Sequence, residues 1–342
     1  MPRAAGEGVL VRAVEVVDGG ALTTVQDLGR YGYQRYGVPV SGALDQFAIR
    51  VGNLLVGNEE SDAGLEVTFL GPTLRFHFDT IIAITGADLG PVLNGQPVPG
   101  WRSIAVPEGS TLSFMGPRDG VRSYICVRGG IDVPVVMGSR STFTRSQFGG
   151  YRGRPLAAGD MVSVGDADPN GVLPNRRVPI HAIPRYGHHH ALHVTMGPQD
   201  DAFTTAGIGT FLASRFTVTP MFDRMGYRLD GPVIQHKRSA DIISDGTSRG
   251  AVQVPGLGKP IVLLADCGTT GGYTKIATVI STDLSRIAQA QAGDTVVFRS
   301  VCLEEAHRAL REQEGFIASL KASAVSRESI GHCKGPTKDS SR

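Results

Sequence analysis

The chain is 342 residues long, enough for one large or two medium domains that each bury a core. Charged residues are 19% of the total and nearly cancel to a formal net charge of +2, which removes the electrostatic case for a nucleic-acid or anionic-membrane partner. No apolar run approaches the roughly 18 residues that span a bilayer. The N-terminal MPRAAGEGVLVRAVEVV alternates and lacks a continuous apolar core, so it reads as a strand and not a signal peptide. Cys126, Cys267, Cys302 and Cys333 share no metal-type spacing and read as free thiols in a reducing, cytoplasmic setting.

In chain order, Val9 to Val17 alternates as a strand, followed by the polar, glycine- and aromatic-rich TTVQDLGRYGYQRYGVPVSGALDQ. Ser41 is expected to cap a helix whose apolar face is Leu44, Phe47, Val51, Leu54 and Leu55, with Gly57 as its stop. Leu65 to Val164 reads as short β segments between glycine and proline turns. One phrase recurs as VPEGSTLSF, LAAGDMVSV and AQAGDTVVF, a tight turn opening straight into a strand, which suits β-barrels. Residues 171–192, rich in proline, basic residues and histidine, read as a linker. Further helices are expected near Pro198 to Phe203, over Ser281 to Ala290 with Ser281 or Thr282 as cap, and over Leu303 to Ala324. The expected organisation is mainly β: two β-rich domains with a few helices at 9–170 and 193–324, the second with a terminal helix, and a disordered tail at 325–342.

Chemistry concentrates in Gly250 to Asp294. The apolar run Ile261 to Ala265 delivers Asp266, then Cys267, Gly268, Thr269, Thr270, Gly271, Gly272, Tyr273 and Lys275. Such a segment either converges N–H groups on an anion or polarised carbonyl, or is a hairpin whose turn needs glycine. His181, His188, His189, His190 and His193 lie in or beside the linker and read as solvated, so no metal site is assigned. Gly246-Thr247-Ser248-Arg249-Gly250 matches a nucleophile elbow in letters, but the strand-like AVQVPGLG follows where a helix is required. No P-loop, dinucleotide fingerprint or biotinylation motif occurs, so ATP or biotin would have to come from another chain. Two further polar groups are Thr24, Gln26, Asp27, Arg30, Tyr31, Gln34, Ser41, Asp45 and Gln46, and Asp223 to Tyr227, where Arg224 suits a carboxylate of substrate or protein.

The blocks TTVQDLGRYGYQ, VSGALDQFAIRVGNLLVGN, ITGADL, GGIDVPVVMGSRSTF, FGGYRGRPLAAGD, DRMGYRLDG and QVPGLGKPIVLLADCGTTGGYTKIATVISTDLSRIAQAQAGD run in order from about Leu22 to Phe298. In these the sequence resembles the KipA-like, allophanate-hydrolase-subunit-2 family. The resemblance implies two cyclophilin-like β-barrel domains and a hydrolase subunit of an ATP-dependent 5-oxoprolinase. It implies as partners an A subunit, together with a KipI-like B subunit, which bring ATP with magnesium. Its alternatives are a biotin-dependent carboxyltransferase acting on urea or an amide, and a non-enzymatic antagonist of a KipI-like kinase inhibitor. On that footing Gly271 and Gly272 with Thr269, Thr270 and Lys275 would hold a carboxylate or oxyanion, and Tyr273 belongs to the same substrate loop. Asp266 would move a proton or orient Lys275, Gln253 and Arg224 would touch a small amide substrate, and Gln26, Asp27, Asp45 and Gln46 would stand behind the site or face a partner.

Overall fold

The computed structural model describes residues 12–167 and 175–325; the expected tail beyond 325 and residues 171–174 of the expected linker lie outside them. In the first half, alternating sequence builds two antiparallel sheets. One runs Met161–Ser163, Ala13–Asp18, Thr73–Phe76, Thr111–Phe114, Pro91–Leu93, Gln96–Pro97; the other runs Leu22–Gln26, Gly64–Thr68, Asp119–Val127, Thr80–Asp88, Ser103–Val106. Val14, Val16, Leu74 and Phe76 of the first meet Val25, Leu65, Ile82 and Ile125 of the second in one core.

Helix α1 (Gln46–Val56) covers the outer face of the second sheet, packing Ile49, Val51 and Leu55 on Ala83, Tyr124 and Cys126. Covered on both faces, Gly64–Thr68 and Thr80–Asp88 are buried nearly throughout and do not alternate. A β-carbon at Gly52 would meet Cys126 Sγ at 2.7 Å and Thr85 Oγ1 at 2.8 Å, so glycine lets this helix lie flush on the sheet. The cap is Asp45, which accepts from the Ala48 N–H at 3.0 Å, and not Ser41. Ser41 has a left-handed φ of 55° and donates its N–H to Ala265 of the second half at 2.9 Å.

The second half closes a barrel in the order His189–Met196, Lys275–Val279, Ala251–Gln253, Ile261–Leu263, Gly226–Asp230, Arg215–Phe222, Thr295–Ser300. Its closing pair, first with last, is parallel. The recurrent phrase has a common cause. Gly109, Gly159 and Gly293 take left-handed φ values of 80°, 87° and 91°, and each precedes a strand. Nothing crowds these positions, so backbone angle and not space selects glycine there.

Helix α2 (Thr205–Ala213) starts later than expected, because Asp200–Ala202 forms only a 3-10 turn and Thr204 is the cap, accepting from Gly207 at 2.9 Å. Ser281–Asp283 is a 3-10 turn running into α3 (Leu284–Ala288); neither Ser281 nor Thr282 caps it. Helix α4 (Leu303–Val325) docks by its far end: Ile317 is buried and Phe316 lies 6.0 Å from the Phe47 ring of α1, whereas Leu303 and Leu310 stay exposed. His181, His188 and His189 are exposed as expected of a solvated segment, whereas His190 is buried and His193 half-buried. His189 opens a barrel strand, and Asp294 pairs with His188 at 2.8 Å and buried His190 at 3.1 Å, while Asp283 pairs with His193 at 2.7 Å. Among the described residues no helix is long and apolar enough to cross a membrane.

Candidate active site

The run Ile261–Leu263 is a barrel strand, and the chain then turns Asp266 inward, to 4% exposure. Beyond it, Thr270–Tyr273 pairs antiparallel with Asp241–Gly246 as a two-stranded arm outside the barrel. The hairpin reading of this segment does not hold, because Thr270–Tyr273 pairs with the earlier strand Asp241–Gly246 and not with Ile261–Leu263. The converging N–H cradle does not form: Gly268, Gly271 and Gly272 are absent from the left-handed positions, and Gly271 and Gly272 are strand residues. Gly271 is needed for space, since a β-carbon there would strike the Gln253 amide and would stand 3.0 Å from Thr247 Cγ2.

Lys275 is 4% exposed and its Nζ donates to Asp245 Oδ2 at 2.9 Å, tying barrel to arm. That bond holds the Asp245 carboxyl below its ordinary range. Asp266 does not orient Lys275, because Arg224 already occupies it. Arg224 donates from Nε to Asp266 Oδ2 at 2.9 Å and from Nη2 to Oδ1 at 3.1 Å, a two-point fork, and also binds Gly42 O at 2.7 Å and the Glu66 carboxylate. Glu66 further accepts from the Tyr124 hydroxyl at 2.8 Å and the Leu44 N–H at 2.9 Å. Burial acts to raise the Glu66 carboxyl, but Arg224 and Arg122 outweigh it and hold it down. For Arg224, burial is likewise outweighed by Asp266 and Glu66, so its pKa is raised. This ion cluster joins the two halves.

The residues expected behind the site are structural supports. Gln26 and Asp45 are fully buried and cannot face a partner chain. Gln26 donates to Thr24 Oγ1 at 3.0 Å and Thr142 O at 3.1 Å; Asp27 collects Gly29 N at 2.8 Å, Arg140 N at 2.6 Å and the hydroxyls of Ser139 and Ser141; Gln46 donates to Leu28 O at 3.1 Å. Asp45 also accepts from Gln289 Nε2 at 3.0 Å and Tyr186 at 3.1 Å, and burial pushes its carboxyl up.

Two cavities adjoin across Pro220, Phe222, Asp223 and Met225, which line both. One, about 590 Å³, lies at the seam between the halves and touches Arg122, Arg224 and Asp266. The other, about 540 Å³, opens beside the arm and gathers Gln253, Thr270 and Tyr273 of the expected set; Thr269, Gly271, Gly272 and Lys275 do not line either. It adds Arg145, Arg228, Thr247 and Cys267; Arg145 carries no site signal in its own sequence context, and Arg228 and Thr247 lie in motifs noted for other reasons. Gln253 is 6% exposed and its Nε2 has no partner, an unmatched buried donor at the cavity wall. Burial pushes the Cys267 thiol up, which disfavours the thiolate that a nucleophile needs. Ser248 lies ahead of the strand Ala251–Gln253 and not of a helix, so the elbow is absent. What the cavity offers is an amide donor, hydroxyls and guanidinium groups, beside the Asp223 carboxylate that accepts from the Met225 and Gly226 N–H groups: the chemistry of holding a carbonyl and an anion without covalent attack.

Residues 36–300 match the carboxyltransferase domain, subdomain A and B. The chain is 37% identical over 317 residues to the C subunit of 5-oxoprolinase from Escherichia coli and 35% identical over 308 residues to that from Haemophilus influenzae, in both cases across 90% of this chain and 97% of the relative. The crystal structure of Kluyveromyces lactis urea carboxylase superposes with a TM-score of 0.86 at 32% identity, covering 92% of this chain and 30% of that one. This chain thus spans under a third of the yeast enzyme and nearly all of the bacterial subunits. It belongs to the carboxyltransferase-domain family of subdomains A and B.

Proposed function

We propose that this chain is the C subunit of an ATP-dependent 5-oxoprolinase, a complex that opens 5-oxo-L-proline to L-glutamate and is active only with its partner subunits. The observation that carries this reading is end-to-end similarity to two bacterial proteins named as the C subunit of 5-oxoprolinase. Its partners are then an A subunit, together with a KipI-like B subunit. A lactam is a poor electrophile, and ATP bound with magnesium by the partner chains supplies its activation. In this chain the unpaired Gln253 Nε2 donates to the lactam oxygen, with Thr247 and Thr270 beside it, while Tyr273 closes the rim. Asp266 and Arg224 position the Pro220–Met225 wall from behind, and Lys275 positions the arm.

The test is the co-purified complex incubated with 5-oxo-L-proline and ATP, with glutamate release as the readout. Gln253→Leu is expected to lower kcat by about 100-fold, the scale of losing one donor to a developing oxyanion. Wild-type complex that releases no glutamate would remove the reading. The superposition with urea carboxylase favours a second one, transfer of a carboxyl group from biotin to an amide nitrogen. It predicts bicarbonate- and biotin-carrier-dependent turnover of urea or an amide in place of glutamate release.

A further inference from the structure

All residues lining the 540 Å³ cavity come from the second half except Arg145. Arg145 sits in the 3-10 turn Thr144–Ser146 of the first half. That turn is braced by the Phe143 N–H bonded to Phe148 O at 2.9 Å and by the edge-on contact of the same two rings at 5.5 Å. The guanidinium reaches across the seam to Met225 Sδ at 2.6 Å, and the same residue lines the neighbouring cavity. A thioether balances none of its charge, and Arg145 makes no ion pair with the described residues, unlike Arg224, whose charge is consumed by Glu66 and Asp266. Two cations of this cavity keep no ion pair among the described residues, Arg145 and Arg228, and of these Arg145 is the one that lines both cavities and sits on a braced turn.

The same cavity holds the unmatched donor of Gln253, itself 6% exposed. A buried unmatched amide donor and an exposed guanidinium without an ion pair in one cavity suit a ligand that carries both a carbonyl oxygen and an anion. On the functional reading above, on which this inference rests, that ligand is a lactam bearing a carboxylate. We propose that Arg145 is the specificity-determining residue that binds the substrate carboxylate while Gln253 takes the lactam oxygen. A neutral amide of the urea type leaves Arg145 without a partner, so this contact separates amide acids from neutral amides.

The test is calorimetric titration of the complex, containing the full chain as wild type, Arg145→Ala or Arg145→Lys, with 5-oxo-L-proline and with neutral 2-pyrrolidone. Arg145→Ala is expected to weaken 5-oxo-L-proline by roughly 10- to 100-fold, as for a lost hydrogen bond to a charged group, and to leave the weaker neutral lactam unchanged. Arg145→Lys should recover part of the loss, because it restores charge without the planar fork. Unchanged 5-oxo-L-proline binding in Arg145→Ala, or equal weakening of both lactams, overturns the carboxylate assignment and leaves the functional reading standing. Failure of the wild-type complex to bind 5-oxo-L-proline overturns that reading and this inference together.

Discussion

Gly271 is selected by the amide it lies against, since a β-carbon there would collide with Gln253 and crowd Thr247. Its φ is not left-handed, so alanine brings no backbone strain, and the obstacle is the far end of a flexible side chain. Gly271→Ala should therefore keep the melting temperature within a few degrees of wild type while displacing Gln253 and lowering turnover roughly tenfold or more. A large loss of stability with intact turnover would contradict this placement. At this scale Gln253, Thr270 and Tyr273 of the expected set line one cavity; the loop residues stand out as polar groups beside a buried strand, whereas Gln253 was named through the family resemblance and not by a local signal. The partners of Arg224 and Asp266 were not legible. Glu66 lies 158 positions from Arg224, and no local pattern links two residues that only tertiary packing brings together. Arg145 was missed for the same reason: its own turn reads as ordinary surface.

Among the elements, α1, α4 and the strands of the three recurrent turns were legible, since helical apolar spacing and glycine before alternation are local signals. Caps were less so. Asp45 displaced Ser41 because the Ser41 segment is drawn toward the second half by Ala265. The strand His189–Met196 was misjudged at its start, since composition hid two histidines anchored on Asp294. Burial pushes the His190 imidazole below its usual value, with Asp294 opposing and Arg286 and His188 adding to the shift. The unfolded chain thus takes up this proton at higher pH than the fold does. Stability from this site is full above the unfolded value of about 6.5 and declines as pH falls from there toward the folded value. The Asp294 carboxyl, which burial alone would raise, is held low by the Gln291 N–H and both histidines, so its share is lost only further into acid. Melting temperature followed from pH 8 to pH 5 should fall several degrees more for wild type than for His190→Gln. Parallel curves would show that His190 does not govern the barrel closure.

For the whole molecule, two β-rich halves were legible from punctuation and alternation, but the seam between them was not. Its polar contacts include the Arg224 cluster, the Arg122 guanidinium on the Tyr227 hydroxyl at 2.6 Å, and Gln289. The Gln289 amide accepts from the Val121 N–H at 3.1 Å and the Arg122 N–H at 2.8 Å and donates to Arg122 O at 2.8 Å, filling an irregularity in the strand Asp119–Val127. Leu44 of the first half is buried in the barrel core. Arg224→Met removes one charge and strands two buried carboxylates, so it should cost about 3–5 kcal/mol or more in chemical denaturation. Adding Glu66→Gln to that variant should return part of the loss, whereas strictly additive losses would argue against the cluster. Gln289 and α4 also complete the first half from later in the sequence. Three places in the first half are left for later sequence to fill: the second Glu66 oxygen, the irregularity in the Asp119–Val127 strand and the outer side of α1. Arg224 supplies the first of these, Gln289 the second, and α4 the third, through Phe316 on Phe47 and Glu314 on Arg50 at 2.6 Å. The first half is thus a template that its own later sequence completes, so residues 12–167 expressed alone are expected to resist chemical denaturation less than the full chain does.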